Sequence, residues 1–282
     1  MRHEPRNDDR GILDPARLHR DLRFRRYLSA APLRRYVEHY WFVDWNVTAA
    51  FTQRVVPHPA VNLVFRHDDD RSGPVPSPGS EDGSASVRAP GSVEVSGVAR
   101  RLFSITLAGS GRVCGVQFRP GGFRPFWRRP VAELTDRRLP LVPAPDPAEV
   151  CAGDDDDRRR ALDDFLLGRA PEPDPSADEA MRLADEIRTD RGILRVDDLA
   201  RRHGLSTRRL QRLFVGYVGV GPKWVIRRYR LQEAIEQAAV GVPDWATLAA
   251  DLGYSDQAHL VRDFTAVTGV TPTAYVRSLH PR

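Results

Sequence analysis

Side chains that could contact the edges of DNA bases, most of them polar, occur at two places in the C-terminal third of the chain. The first set is Arg208, Arg209, Gln211 and Arg212, and the second set is Gln257, Ala258, His259 and Arg262. Arginine can pair with O6 and N7 of guanine in a major groove, and glutamine can pair with N6 and N7 of adenine. These residue types therefore allow direct reading of a DNA sequence, provided that two helices present them on outward faces.

Both sets lie within an internal repeat, which indicates the elements that position them. Residues 199–222 and 248–272 align with an offset of 49 up to Ser206 and Ser255 and of 50 beyond them. The increase of the offset by one indicates that the second copy has one inserted residue just after the serine. Each copy has an apolar helix face, a glycine suited to a tight turn, and the serine, which is expected to cap the next helix near a DNA phosphate. Each copy is therefore predicted to be a helix-turn-helix unit.

The excess positive charge is confined to the same region. Residues 1–180 contain 27 basic and 27 acidic residues, whereas residues 181–282 contain 16 basic and 11 acidic ones, which gives the net charge of +5. Nine basic residues and no acidic residue lie between Arg201 and Arg230. Such a cluster could neutralise phosphates and would make binding steeply salt-dependent. A solvated helix face is the plainer interpretation of a charge run, but it does not account for matching polar positions in two repeats.

The N-terminal part is predicted to be rich in β-structure. Short segments with β-branched or alternating apolar residues, typical of strands, lie at 37–45, 54–56, 61–65, 93–98, 102–107 and 113–118. Turn-forming residues separate them, which favours a small antiparallel barrel or sandwich with flanking helices. A short helix is expected before the strands, over residues 16–28. A long helix over residues 222–239 is expected to hold the two helix-turn-helix units at a fixed separation.

These elements predict an α+β protein of two domains. Residues 1–168 are expected to form a β-rich domain with a sensory, regulatory or dimerisation role. Residues 169–177, rich in proline and acidic residues, are expected to be a linker. Residues 178–282 are expected to form an all-α DNA-binding domain, with its units at about 196–217 and 245–267.

Composition argues against several classes of protein. No run of 18 apolar residues is present, and the N-terminus lacks the apolar segment of a secretion signal, so a cytoplasmic protein without a membrane partner is expected. Two cysteines are too few for a disulfide framework or a four-cysteine zinc site. A phosphate-binding loop, a glycine-rich dinucleotide turn and a nucleophile elbow are missing from the sequence. We therefore expect neither an enzyme nor a bound metal or other cofactor.

Two alternatives remain open at this stage. The β-rich part could be a metal-binding or catalytic barrel, for which the candidate side chains are Glu38, His39, Asp44, His58, His67 and the nucleophile Cys114. A His-x-His pair followed by a carboxylate would support a metal site, and none occurs, so surface histidines and a small buried cysteine are favoured. The protein could also be an architectural DNA binder without sequence preference, although Gln211 and Gln257 favour base reading.

The last hundred residues resemble the DNA-binding domain of the AraC/XylS family of bacterial transcription regulators. The resemblance rests on the two repeated units, the long helix between them and the segment GYSDQAHLVRDFTAVTGVTPTAY at 253–275. It implies that the second helix of each unit enters one of two adjacent major grooves of promoter or operator DNA. Residues 36–41, 57–65 and 115–122 resemble an uncharacterised β-rich domain that precedes this module in some members. RNA polymerase, a small-molecule effector and a second copy of the chain are the further partners that the resemblance implies.

Overall fold

The described part of the chain consists of a β-sheet domain followed by a helical domain. The computed structural model describes residues 13, 18, 20, 22–68 and 91–279. The strands among them are β1 (Leu22–Tyr27), β2 (Val37–Val55), β3 (Asn62–Asp68), β4 (Gly91–Ser96), β5 (Phe103–Phe118) and β6 (Arg138–Pro140). The predicted α+β class, with a β-rich N-terminal part and an all-α C-terminal part, is confirmed.

The strands form one antiparallel sheet with the order β1-β2-β5-β3-β4-β6. The expected barrel or sandwich is therefore a single sheet, whose edges among the described strands are β1 and β6. Strand β2 joins two predicted strands into one, and so does β5, because the two pair along almost their whole length, from Val37–Phe118 to Val55–Phe103. A register shift between Val47 and Phe51 is the irregularity near the middle of this pairing.

The predicted helix over residues 16–28 is wrong at its C-terminal end. Leu18 and Arg20 are helical, while residues 16, 17, 19 and 21 lie outside the described residues. Residues 22–27 form β1, which pairs with β2 from Leu22–Trp45 to Tyr27–Tyr40. Pairing with a neighbouring strand satisfies the backbone hydrogen bonds that a helix would have made internally, so a long-range contact overrides the local preference.

Two tryptophans of β2 lie over glycines of β5. A Cβ atom on Gly115 would lie 1.9 Å from Trp41 Cε2, and one on Gly111 would lie 2.4 Å from Trp45 Cζ2. Such distances are far shorter than a van der Waals contact, so any side chain at either glycine would displace an indole ring. Gly111, which lies between two predicted strands, and Gly115, which lies within one, are therefore strand positions that make room for aromatic rings.

One face of the sheet is covered by helices. The short helices α1 (Arg124–Trp127) and α2 (Pro147–Val150), the longer α3 (Asp155–Gly168) and 3₁₀ turns at Ala31–Leu33 and Val131–Leu134 all contribute to this layer. Phe165 of α3 packs edge-on against Phe65 of β3, with ring centroids 5.7 Å apart. Asp163 accepts a hydrogen bond of 2.7 Å from the hydroxyl of Tyr40. The core of the domain therefore lies between the sheet and α3.

Seven further helices lie within the described part of the helical domain. They are α4 (Pro175–Thr189), α5 (Val196–Arg202), α6 (Thr207–Tyr217), α7 (Pro222–Val240), α8 (Trp245–Asp251), α9 (Gln257–Thr268) and α10 (Pro272–Leu279). Helix α7 has 19 residues and is therefore about 28 Å long. Its N-terminal half packs with α4, α5 and α6 in one core, and its C-terminal half packs with α8, α9 and α10 in a second core.

The helical domain begins three residues earlier than predicted. Asp174 caps α4, because its side chain accepts hydrogen bonds from the backbone N–H groups of Ser176 and Ala177. Pro175 occupies the first helical position, where its missing N–H is not needed. The last residues of the predicted linker, 175–177, therefore belong to the first turn of the helix.

Candidate nucleic-acid interface

The first unit consists of α5, a four-residue turn at residues 203–206 and α6. Gly204 has a φ of +61°, in the left-handed region that a side chain disfavours. The N–H of Leu205 closes the turn by donating to the carbonyl of Ala200 at 2.9 Å. Ser206 then caps α6, because its Oγ accepts a hydrogen bond of 3.2 Å from the N–H of Arg209. The sharp change of direction between the two helices follows from these three residues.

The second unit repeats this geometry with one difference. The N–H of Tyr254 donates to the carbonyl of Ala249 at 2.9 Å, as Leu205 does to Ala200 in the first unit. Helix α9, however, is capped by Asp256, whose Oδ1 accepts from the N–H of His259 at 2.6 Å. The predicted capping role of Ser255 is therefore wrong. The inserted residue is Ser255 itself, so the offset of 50 begins with the cap, and Ser255 lies one residue before the helix.

Each second helix has one buried and one exposed face. In α6 the buried side chains are Leu210, Leu213 and Phe214, and in α9 they are Leu260, Phe264, Val267 and Thr268. The side chains on the exposed faces are Arg208, Arg209, Gln211 and Arg212 in α6, and Gln257, Ala258 and Arg262 in α9. His259 is half-buried. The apolar spacing anchors both helices and turns their polar residues outward.

Three of the four exposed arginines make no ion pair with another described residue, whereas Arg209 does. Its Nη2 lies 3.1 Å from Oε2 of Glu179 in α4, while Arg208, Arg212 and Arg262 have no such partner. Glu179 therefore holds the Arg209 guanidinium toward α4. Exposed pairs of this kind contribute little stability, so a DNA phosphate could replace Glu179 at low cost.

The polar residues at the start of α9 contact one another. Nδ1 of His259 lies 3.2 Å from Oγ of Ser255, and the imidazole packs edge-on against the ring of Tyr254 with centroids 5.1 Å apart. The N–H of His259 donates to Asp256 and lowers the pKa of that carboxyl. Helix α9 therefore begins with a fixed cap and an oriented imidazole.

Two arginines of the nine-residue basic cluster are internal, so the cluster is smaller than the sequence suggests. Arg230 is 2% exposed, and its Nη2 donates to the carbonyls of Ile187, Asp190 and Ile193 at 2.9, 2.7 and 3.4 Å. Arg228 is 4% exposed, and burial lowers its pKa to about 10. Arg230 thus joins α7 to the end of α4, and both side chains are too deeply buried to bind a phosphate.

Three other members of the cluster take part in ion pairs on the surface. Arg201 pairs with Asp198 at 3.3 Å, Arg202 with Asp190, and Arg227 with Asp263 at 2.8 Å. The last pair joins α7 to α9, and the hydroxyl of Tyr254 donates to the second oxygen of the same aspartate at 2.9 Å. Lys223, at the start of α7, is exposed and has no ion-pair partner among the described residues. The remaining unpaired charge is therefore concentrated around α6.

Both parts of the chain match families of known domains. Residues 199–278 match the family described as a helix-turn-helix domain, and the two units, their turns and the connecting α7 all lie within or beside that match. These residues are an AraC-type helix-turn-helix domain. Such a domain belongs to DNA-binding transcription regulators. Residues 25–140 match a domain of unknown function, DUF6597.

Several solved structures are similar to the chain. The C-terminal domain of AraT, a response regulator from Geobacillus stearothermophilus, is 21% identical, with 34% of this chain and 82% of that chain covered and a TM-score of 0.32. An AraC-type transcriptional regulator from Chromobacterium violaceum is 22% identical, with coverages of 36% and 91% and a TM-score of 0.32. ToxT from Vibrio cholerae is 10% identical, with coverages of 93% and 100% and a TM-score of 0.42. Among curated proteins, none is significantly similar.

The candidate ligands of a metal site in the sheet domain do not come together. Within residues 22–68 and 91–279 no three His, Cys, Asp or Glu side chains form a group that could hold a metal ion. His58 instead packs edge-on against Tyr229 of the AraC-type domain, with ring centroids 5.6 Å apart. Burial lowers the pKa of His39 to about 3, with smaller contributions from Arg26 and His58. Asp44 accepts hydrogen bonds from Arg25 and Arg158 at 2.6 and 2.8 Å.

A contact that the sequence did not predict joins the two cysteines. Both are fully buried and both are free thiols. The Cys151 thiol donates to the carbonyl of Phe65, the β3 residue that pairs with Cys114, at 3.6 Å, and the Cys114 thiol donates to the carbonyl of Val150 at 3.9 Å. The neighbouring Cys151 and burial both raise the pKa of Cys114. A buried thiol of raised pKa is a poor nucleophile, so Cys114 contributes packing rather than chemistry.

No helix among the described residues is both long enough and apolar enough to cross a membrane.

Proposed function

We propose that this protein regulates transcription in the cytoplasm by reading a specific DNA sequence with two helices. Helix α6 enters one major groove and α9 the next, about 34 Å away along one face of the duplex. The observation that carries the proposal is the pair of amphipathic helices. Each is anchored by buried apolar residues, and each exposes arginine or glutamine at matching turns.

The roles of individual side chains follow from their surroundings. The exposed residues proposed to read bases are Arg208, Gln211 and Arg212 in α6, and Gln257, Ala258 and Arg262 in α9. We propose that His259 reads the same segment of DNA as Gln257. Contacts with Ser255 and Tyr254 fix the orientation of its ring. Arg209 is assigned to a phosphate, because Glu179 directs it away from the outer face of α6. Ser206 lies at the N-terminal end of α6, where the helix dipole favours a phosphate.

The two helices carry different residues, so one protein chain reads two unlike elements. Their order along the DNA is fixed, because a single chain presents α6 and α9 in one orientation. The binding site of one protomer is therefore non-palindromic. The β-sheet domain adjusts this binding, either by responding to a small molecule or by pairing two chains. RNA polymerase is the partner through which bound protein would change transcription, and the proposal requires no catalytic step.

Selection of bound duplexes from a random pool by the full-length protein, at moderate salt, tests the proposal. We expect two enriched elements separated by roughly one turn, ~10 base pairs. Retention of DNA without any enriched sequence would support the second candidate, a non-specific architectural binder. The affinity of a specific binder should also fall strongly when either element is scrambled. The affinity of a non-specific binder should depend on the salt concentration and not on the sequence. No retention at any salt concentration would refute DNA binding.

A further inference from the structure

One short segment of the β-sheet domain contacts both helix-turn-helix units. This bridging segment, residues 97–102, connects β4 to β5. Val98 is 1% exposed and lies in the core of the first unit. Leu102 packs against the core of the second unit, where a Cβ atom on Gly269 would lie 3.7 Å from Leu102 Cδ2. Between them, the carbonyl of Arg100 accepts a hydrogen bond of 3.2 Å from Nη2 of Arg228 in α7.

The bridging segment is itself held firmly by the sheet domain. Asp136 makes three hydrogen bonds to it: its N–H donates to the carbonyl of Val98 at 3.0 Å, Oδ1 accepts from the N–H of Arg100 at 2.7 Å, and Oδ2 accepts from Arg100 Nε at 2.6 Å. Gly97 lies against the backbone of Leu134, with no space for a Cβ atom. The segment is therefore a fixed part of the domain rather than a loose loop.

A second contact beside the bridging segment fixes the first unit. Thr135, the neighbour of Asp136, donates from Oγ1 to the carbonyl of Gly219 at 2.6 Å. Val131 lies on the other side of the same glycine, 3.2 Å from where a Cβ atom would stand. The sheet domain thus contacts the end of α6 and the core of the second unit from one rigid surface.

The contacts between the two units are few by comparison. Helix α7 runs through both, Arg227 pairs with Asp263, and Leu194 lies beside the turn of the second unit, 3.0 Å from where a Cβ atom on Gly253 would stand. The two units otherwise have separate cores. A single helix fixes the distance between its ends better than the rotation of one packed unit relative to the other.

We propose that the bridging segment sets the spacing between the two DNA elements by fixing the position of α9 relative to α6. This inference rests on the proposed function. Each added base pair moves an element by about 3.4 Å along the duplex and rotates it by about one tenth of a turn. Small shifts between the units therefore change which spacer length allows both helices to bind at once. Val98 and Leu102 act as positioning residues for DNA recognition and contact no base.

The test compares two double variants of the full chain. V98A/L102A removes both anchoring side chains and leaves every proposed DNA-contacting residue intact. V93A/L141A is the matched control, because Val93 and Leu141 are neighbouring, half-buried side chains in the core of the sheet domain. Affinity is measured for duplexes that carry the two elements selected by the unaltered protein, with spacers shortened or lengthened by one and two base pairs. Duplexes with one element scrambled measure each unit by itself.

We expect the unaltered protein and V93A/L141A to bind the selected spacer about 10–100-fold more tightly than the shifted ones, because only the matching geometry allows both units to engage. V98A/L102A should bind all spacers within a few-fold of one another, with its affinity for single elements unchanged. The same sharp spacer profile in both variants would overturn the inference. If V98A/L102A does not fold, the single variant L102A replaces it, because the Leu102 side chain is only partly buried. Its spacer profile is then compared with that of the unaltered protein, and the same sharp profile would overturn the inference.

A measurement without DNA separates failure of this inference from failure of the proposed function. Cysteines introduced at Val215 in α6 and Ala266 in α9, both exposed, carry spin labels, while Cys114 and Cys151 stay buried. Pulsed electron spin resonance should give a narrow distance distribution in the unaltered background and a broader one with V98A/L102A. Equal widths would refute the positioning role. An absence of selected elements in the unaltered protein would refute only the proposed function.

Discussion

Thr135 Oγ1 donates a hydrogen bond of 2.6 Å to the carbonyl of Gly219, and this bond joins the β-sheet domain to the second residue after α6. Two further contacts join the same two domains. Arg119 Nη2 donates to Asp185 of α4 at 2.9 Å, and His58 packs on Tyr229 of α7. Two of the three N-terminal segments by which the family resemblance is recognised, 57–65 and 115–122, therefore contact the helical domain directly.

Substitution of Gly219 by alanine should destabilise the protein by about 1–3 kcal/mol, because a residue with a side chain disfavours a positive φ. Gly219 has a φ of +97°, and the added Cβ atom would also press on Val131 and Thr135 at 3.2 Å. The control is Gly168→Ala, since nothing lies within 4 Å of a Cβ atom at the end of α3. Thermal unfolding measures both. Equal midpoints for the two variants would contradict the prediction.

Loss of the Arg230 side chain should be among the most damaging single changes in the helical domain. Arg230→Met keeps most of the volume but leaves three carbonyl oxygens at the end of α4 without their donor, and we expect a loss of about 2–4 kcal/mol in the free energy of unfolding. Arg201→Met, at an exposed position paired only with Asp198, should change the same quantity by less than about 0.5 kcal/mol. Urea unfolding curves provide the comparison.

Arg212→Ala and Arg262→Ala should each weaken binding to the selected duplex by about 1–3 kcal/mol, if each arginine reads a base. The loss should disappear when the element read by that helix, and only that element, is scrambled. Arg160→Ala, at an exposed position on α3 of the sheet domain, serves as the control for a simple loss of positive charge. A uniform loss on every sequence would assign the two arginines to phosphates.

Stability should fall at acidic pH through His39. Because burial lowers the pKa of His39 to about 3 in the folded protein, the unfolded chain takes up a proton first as the pH falls below its ordinary value of about 6.5. The stabilising contribution is therefore complete above that value and is lost progressively below it. At pH 5 we expect a loss of about 1–2 kcal/mol. His39→Gln should show a smaller decrease between pH 7.5 and pH 5, and parallel curves would count against the prediction.

The helix-turn-helix units follow from the sequence because their determinants are local. The glycine turn, the capping residue and the apolar spacing of each unit lie within about 25 consecutive residues, and the two copies support each other. The one local error concerns Ser255. Either a serine or an aspartate can cap a helix, so the sequence did not distinguish two adjacent capping residues beside an insertion.

The arrangement of the β-sheet domain depends on contacts that the sequence pattern does not contain. Residues 108–112 read as a turn, because they contain two glycines and a serine. They are part of β5, since the long partner strand β2 continues alongside and Trp45 needs the space over Gly111. The side chains around His39, His58 and Cys114 were likewise open to chemical interpretations, because their packing partners come from distant parts of the chain.

The bridging segment also determines where the chain could be recombined with a relative. A DNA-binding domain joined at residues 169–174 would bring its own α4 to α10 but would meet a foreign segment at residues 97–102, with a foreign Thr135 and Asp136 beside it. Such a chimera could retain both recognition helices and still require a different operator spacing. On the proposed mechanism, exchange of the DNA-binding domain would therefore preserve the spacing between the two DNA elements only when the sheet-domain surface that contacts both units is exchanged with it.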